Sequence, residues 1–146
     1  MEIRAIGENE LSQLLALYKY LHEDDEPLPE MDIVKKIWRK IQHNEDYYCY
    51  GIFVDQKLVC SCNLVLMENL TRGCRPFAVI ENVVTHREFR RQGYGRRVLR
   101  HALEYAWSSN CYKVMLLTGR LDLETFKFYE SVGFKRHTKQ AFIAKP

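Results

Sequence analysis

The segment Val83-Val84-Thr85-His86-Arg87-Glu88-Phe89-Arg90-Arg91-Gln92-Gly93-Tyr94-Gly95-Arg96-Arg97 carries the densest chemistry in this 146-residue chain. An apolar run leads through a short basic turn into a helical pattern whose first residues include two glycines. A helix N-terminus leaves about four backbone N–H groups unpaired and carries roughly half a positive charge. Glycines there remove the Cβ atoms that would keep a ligand away from those amides, and flanking arginines add charged donors. The combination suits a phosphate group, although two glycines alone also suit a merely permissive helix start. A dinucleotide fingerprint G-x-G-x-x-G would need glycine at position 98, where Val98 stands, and no G-x-x-x-x-G-K-[ST] loop occurs. What fits is R-x-x-G-x-G, as Arg90-Arg91-Gln92-Gly93-Tyr94-Gly95.

Glu81 is the second candidate. It is a lone carboxylate in the near-continuous apolar run Phe77–Thr85, broken otherwise only by Asn82. Burial raises a carboxylate's pKa and improves it as a base; the alternative is a paired structural glutamate facing solvent. The five cysteines (Cys49, Cys60, Cys62, Cys74, Cys111) are odd in number and form no C-x-x-C. They read as free buried thiols in a reducing cytoplasm. His22, His43, His86, His101 and His137 form no ligand spacing, so no metal is expected.

The net charge of +3 conceals an uneven distribution. Residues 1–73 carry 13 acidic and 8 basic side chains, residues 74–146 carry 6 and 14, and six arginines fall between Arg87 and Arg100. Such asymmetry points to a local anionic partner. The length suits one domain of about 100–150 residues, here 1–146. No run approaches the ~18 apolar residues of a membrane span, and Met1–Ala5 lacks the apolar stretch of a signal peptide.

The elements that must position these groups emerge from periodicity. Glu2–Ile6 alternates as a short strand. Leu11, Leu14, Leu15, Tyr18 and Leu21 recur at helical spacing after a cap at Asn9. A second helix, starting at Met31 or Asp32, collects Ile33, Val34, Ile37, Trp38 and Ile41 on one side. Tyr47–Val54 and Lys57–Met67 read as strands joined by the two-residue loop Asp55-Gln56, Asn69–Pro76 as a mobile loop, and Phe77–Thr85 as a central buried strand. A helix comes after Gly95, then a strand over Lys113–Thr118, a short helix over Glu124–Val132 ended by Gly133, and closing strands over Phe134–Arg136 and Gln140–Ala144. The order predicts an α/β or α+β domain.

Downstream of the glycine turn stands Phe128-Tyr129-Glu130-Ser131-Val132-Gly133-Phe134. Together with Arg90–Gly95, and with the element order of the whole chain, it resembles the GNAT superfamily of acetyl-CoA-dependent N-acetyltransferases. Asn110-Cys111-Tyr112-Lys113 is similar to glucosamine-phosphate acetyltransferases within it. The resemblance implies a mixed sheet of six to seven strands flanked by about four helices, with splayed central strands. It implies coenzyme A pyrophosphate on the amides of the glycine turn, hence Arg90, Arg91, Gln92, Gly93, Tyr94, Gly95 and Arg96. It further implies a pantetheine arm pairing with Val83, Val84 and Thr85, and the N–H of Val83 polarising the thioester carbonyl. Asp122 and Thr125 fall where the family often has Asn or a small residue near the cofactor. The chemistry implied is direct attack of a neutral primary amine of a small molecule on acetyl-CoA, with no acyl-enzyme. An amine of pKa near 10 must lose a proton, a role that falls to Glu81. Tyr129 matches the family's usual general acid.

The acceptor is not specified by these motifs. Glu23-Asp24-Asp25-Glu26, between the first two helices, would attract a cationic amine or is a solvated turn. A sugar phosphate would call for Arg72, Arg75 or Arg120. Many family members pair as homodimers, and others acetylate proteins or only sense acyl-CoA. A nucleic-acid module, suggested by the clustered arginines, is disfavoured because they straddle a junction instead of forming a sustained face.

Overall fold

The computed structural model describes residues 1–22 and 24–146. Among them run β1 (Glu2–Ala5), α1 (Leu11–Tyr18), α2 (Met31–Gln42), β2 (Tyr47–Val54), β3 (Lys57–Met67), β4 (Phe77–Thr85), α3 (Tyr94–Ser108), β5 (Val114–Met115) and α4 (Leu123–Glu130). The strands form one sheet in the order β1-β2-β3-β4-β5, antiparallel from β1 to β4 and parallel between β4 and β5. This mixed α+β architecture has five strands where six to seven were expected. Lys113–Thr118 pairs as a strand only over Val114–Met115. Phe134 turns back onto α4 through its N–H to the Tyr129 carbonyl (3.3 Å), and Gln140–Ala144 joins no strand.

Residues of the sheet's two faces fall into two cores. On one, Val98, Leu99, Ala102, Leu103 and Ala106 of α3 pack against Ile52, Cys60, Cys62, Leu64, Ala78 and Ile80. On the other, Leu14 and Leu17 of α1 and Trp38 of α2 cover Ile6, Phe53, Leu58 and Val84. Each fully buried Leu or Ile contributes roughly 1.5–3 kcal/mol relative to exposure. α2 buries only Val34 and Trp38 of its apolar stripe, leaving Ile33 and Ile37 about half exposed.

Local chemistry explains the junctions. Asp55 and Gln56 both take positive φ (47° and 64°), the two-residue hairpin turn that matches strand twist. The entry to α1 is secured by Glu10, not by Asn9. The Gly7 N–H donates to Glu10 Oε2 (2.6 Å), and Arg4 Nη1 and Nη2 donate to Oε2 and Oε1 at 2.7 and 2.6 Å. Asp122 caps α4 by accepting from the Thr125 N–H at 2.8 Å.

β4 carries the irregularity that matters most. Its register with β3 passes from Asn63↔Glu81 to Ser61↔Val84, so Asn82 and Val83 together face Cys62. Asn82 takes φ 51°, a left-handed conformation that asparagine tolerates better than most residues. This β-bulge inverts the alternation. Ala78 and Ile80 face α3, whereas Val84, four residues after Ile80, faces α1.

Candidate active site

The ladder between β4 and β5 ends at Val79↔Met115, and beyond it the two chains part. A cleft of about 760 Å³ opens there. Ile80–Thr85 form one wall and Leu116–Arg120 the other, with Tyr20, Leu21 and His22 at one rim. Phe89–Arg91, Gly93–Arg96, Thr125, Phe128 and Tyr129 complete it. The fold thus brings to one cleft Glu81, Val83, Val84, Thr85, Arg90, Arg91, Gly93, Tyr94, Gly95, Arg96, Thr125 and Tyr129. Gln92 stands off the lining, its side-chain amide donating to the Glu88 carbonyl at 3.1 Å.

The two glycines of the turn differ in what they provide. Gly93 takes φ 84° as the residue preceding α3, and nothing lies within 4 Å of where its Cβ would stand. A side chain there would strain the backbone and fill the open space in front of the first α3 amides. A Cβ on Gly95 would sit 3.0 Å from the Phe128 ring, so that glycine is demanded by the packing of α4 on α3. The N–H groups of Tyr94, Gly95 and Arg96 open the helix and have no carbonyl one turn earlier to bond. An unfilled, positively polarised cradle of this kind fits a phosphate.

The arginines divide by commitment. Arg90 Nε donates to the Thr85 carbonyl (3.2 Å) and its Nη2 to the Tyr20 carbonyl (3.4 Å), tying the end of β4 to the segment after α1. Arg91 reaches Glu124 at 3.5 Å with both side chains more than four-fifths exposed, a pair that solvent screens heavily. Among the described residues Arg96 has no side-chain hydrogen bond or ion pair, and it faces the cleft.

Glu81 is exposed into the cleft, so the burial expected for it is absent: it alternates with Ile80 along the strand and so points away from the core under α3. Behind it lies a polar network not singled out from the sequence. Asn63, cross-strand from Glu81 and 3% exposed, accepts from Tyr18 Oη at 3.2 Å and donates to Tyr47 Oη at 3.1 Å. Burial pushes both phenols up, and for Tyr47 the Glu81 charge adds to the rise. The polar residues Ser61 and Asn63, alternate positions inside the apolar run Leu58–Met67, were the available signal.

Tyr129 lines the cleft half-buried, its ring edge-on to Phe134 at 6.2 Å. Burial raises its pKa, Arg120 opposes the rise and Glu81 adds to it. The Thr125 N–H donates to Asp122 Oδ1 (2.8 Å) and its Oγ1 to Oδ2 (2.9 Å), so both residues are engaged in capping α4, and these bonds, the backbone one first, hold the Asp122 carboxyl below the usual range. Of the three arginines considered for a sugar phosphate, Arg75 donates to the carbonyls of Asn110 and Cys111, and Arg72 lies over the Tyr112 ring. Arg120 alone of the three lines the cleft, 3.4 Å from Asp122. Glu23 of the acidic run lies outside the described residues. Asp24, Asp25 and Glu26 are exposed and come soon after His22 at the rim.

Four cysteines are buried and one, Cys74, is exposed, against the expectation that all would be buried. Burial pushes the Cys49 and Cys60 thiols up to about 12, and raises Cys62 and Cys111 as well. None of the four is poised as a thiolate.

Residues 9–134 match the Acetyltransferase (GNAT) family. A glucosamine 6-phosphate N-acetyltransferase of Trypanosoma brucei brucei is 30% identical over 142 residues, covering 96% of this chain and 92% of that one. An aminoglycoside N(6')-acetyltransferase type 1 of Serratia marcescens is 24% identical over 105 residues, 70% of either chain. A solved structure from Agrobacterium tumefaciens str. C58, provisionally assigned as an acetyltransferase, superimposes with a TM-score of 0.92 at 39% identity over 99% of this chain and 100% of that one. No described helix is long and apolar enough to cross a membrane. With a match spanning most of its length and relatives that are curated N-acetyltransferases, the chain belongs to the GNAT family of acetyltransferase enzymes.

Proposed function

We propose that this enzyme transfers the acetyl group of acetyl-CoA directly to a primary amine of a small molecule, within a ternary complex. The observation that carries the reading is the placement of Glu81 and Tyr129 in one cleft that ends at the uncapped amides of α3. Bound there, acetyl-CoA supplies the acetyl thioester. The amides of Tyr94, Gly95 and Arg96, with the Arg91 and Arg96 guanidinium groups, would hold its phosphates. The main chain of Val83, Val84 and Thr85 is freed for an extended ligand because β5 has parted from it. The bulge at Asn82 sets the Val83 N–H out of the regular ladder, which suits a donor to the thioester carbonyl.

Glu81 takes the proton that the amine loses as its nitrogen bonds to the acetyl carbon, directly or through a water. Exposure to the cleft keeps it accessible to an incoming amine. As the carbon–sulfur bond breaks, Tyr129 gives its phenol proton to the leaving sulfur, whose conjugate acid has a pKa near 8.5. Tyr129, its pKa raised by burial, stays protonated through neutral pH, so its proton is available in the cleft. The four buried, raised thiols support a route without an acyl-cysteine, and suit a reducing cytoplasm. The relatives named for glucosamine 6-phosphate and for aminoglycosides favour an amine-bearing sugar, and Arg120 at the cleft favours a phosphorylated one.

The test is thiol release from acetyl-CoA across a panel of aminosugars, aminosugar phosphates, polyamines and peptides. Turnover with a small amine, lost in Glu81→Gln, is the expected result. Tight acetyl-CoA binding with no turnover on any amine would overturn the reading and leave an acyl-CoA sensor.

A further inference from the structure

One row of side chains crosses three strands beside the proposed base. Cys49 of β2 stands opposite Asn63 of β3, and Asn63 opposite Glu81 of β4, so all three project from one face of the sheet. That face is the one α1 and α2 cover, since Cys49 packs with Leu14, Leu17 and Trp38. Tyr47, two residues before Cys49, points the same way, and Tyr18 of α1 packs against the same cluster.

Stability alone does not call for this arrangement. A buried asparagine costs free energy unless its amide is bonded, and apolar residues of the same shape would pack as well. Asn63 is bonded to two phenols, and the direction of the bonds makes those phenols unequal. Tyr18 Oη spends its one proton on Asn63 Oδ1 at 3.2 Å, which leaves it only lone pairs to turn toward a carboxylate. Tyr47 Oη accepts from Asn63 Nδ2 at 3.1 Å, so its own proton remains to give. Burial raises both phenols, and the Glu81 charge adds to the rise at Tyr47 but not at Tyr18. Tyr47 and Glu81 are therefore within each other's field without a direct hydrogen bond, the separation at which a water bridges two polar groups.

We propose that Tyr47 is a positioning residue for Glu81: Asn63 aims its hydroxyl, which donates through one water to the carboxylate and holds it turned toward the incoming amine. A carboxylate has about four lone-pair sites, so one donated bond leaves others for the amine's proton. The other titratable groups about Glu81 are Cys49 and Tyr18 on its own face, and Tyr129, Arg120 and His22 around the cleft. The kinetic consequence rests on Glu81 being the proton acceptor proposed above, whereas the effect on the carboxylate is measurable without turnover.

The test uses Tyr47→Phe, which removes one oxygen and keeps the ring, with Tyr18→Phe as its control and melting curves to confirm cooperative folding. Carboxyl carbon NMR follows Glu81, identified by the signal that Glu81→Gln lacks. A bond to the charged form favours that form. Its loss in Tyr47→Phe should move the Glu81 midpoint to higher pH by about one unit, while Tyr18→Phe leaves it in place. In turnover, Tyr47→Phe should lower kcat by about 10–10²-fold with the KM for acetyl-CoA unchanged. Added to Glu81→Gln, the same change should cost nothing further, because the group it serves is gone. An unmoved midpoint in Tyr47→Phe overturns the proposal even where Glu81→Gln is inactive, so the two readings fail separately. Equal losses of kcat in the wild-type and Glu81→Gln backgrounds overturn it as well, since a purely structural tyrosine would give that result.

Discussion

At the residue scale, side chains of unlike environment share one cleft. Glu81→Gln removes the proton acceptor without changing shape, and should lower kcat by about 10²–10⁴-fold. The KM for acetyl-CoA should stay within a few-fold, because Glu81 lies away from the glycine turn; initial rates at saturating amine measure both. Tyr129 titrates above the ordinary phenol range through burial. Its donor form is therefore present below that raised value and lost as pH rises through it, so kcat should hold across neutral pH and fall only on the far alkaline side. A pH–rate profile in which Tyr129→Phe leaves both the plateau and that alkaline fall unchanged would refute the donor role. At the turn, Gly93→Ala forces a Cβ into φ 84°, at a cost of about 1–2 kcal/mol, and fills the cradle. Calorimetry should show weakened acetyl-CoA binding alongside a lowered Tm.

At the scale of elements, the site depends on where regular structure fails. The bulge at Asn82 and the short ladder of β5 create the cleft, and Glu10 holds the β1–α1 corner. Asn82→Val places a β-branched residue at φ 51° and should cost about 1–2 kcal/mol, whereas Asn82→Gly should be near neutral; urea denaturation distinguishes them. The Glu10 carboxyl is held below its ordinary value, first by Arg4 and also by the Gly7 N–H. A depressed carboxylate contributes stability above its unfolded pKa and loses it as pH falls through the folded value. Arg4→Ala should therefore destabilise by about 1–2 kcal/mol at pH 7, and by progressively less as the solution is acidified through the carboxylate range. The hairpin β2–β3, the extent of β4 and the helix of Val98, Leu99, Ala102, Leu103 and Ala106 were legible, because amphipathic period and turn chemistry are local properties. The bulge was not, since an Asn in a strand does not announce which φ its neighbours will impose. The closing strands, expected but not formed, fail for a related reason. Propensity names a segment that prefers to be extended, and says nothing of whether a partner edge is within reach.

For the whole molecule, burial decides which of five free thiols can react. A thiol reagent should titrate one group, Cys74, in the native protein and all five in denaturant. A second fast-reacting native thiol would contradict the packing of Cys49, Cys60, Cys62 and Cys111. The amino-acid sequence by itself determined the family, the phosphate-suited turn and the charge division between halves, because those reside in contiguous residues and their types. Only the tertiary structure decided that Glu81 faces the cleft, that Arg120 and not Arg72 or Arg75 reaches it, and that Gly95 serves the packing of Phe128. It also decided that Asn63 links two tyrosines behind the carboxylate. Each of these depends on how β4 and β5 separate and on which strand lies beside which. Such distances arise between residues tens of positions apart, and no local pattern encodes them.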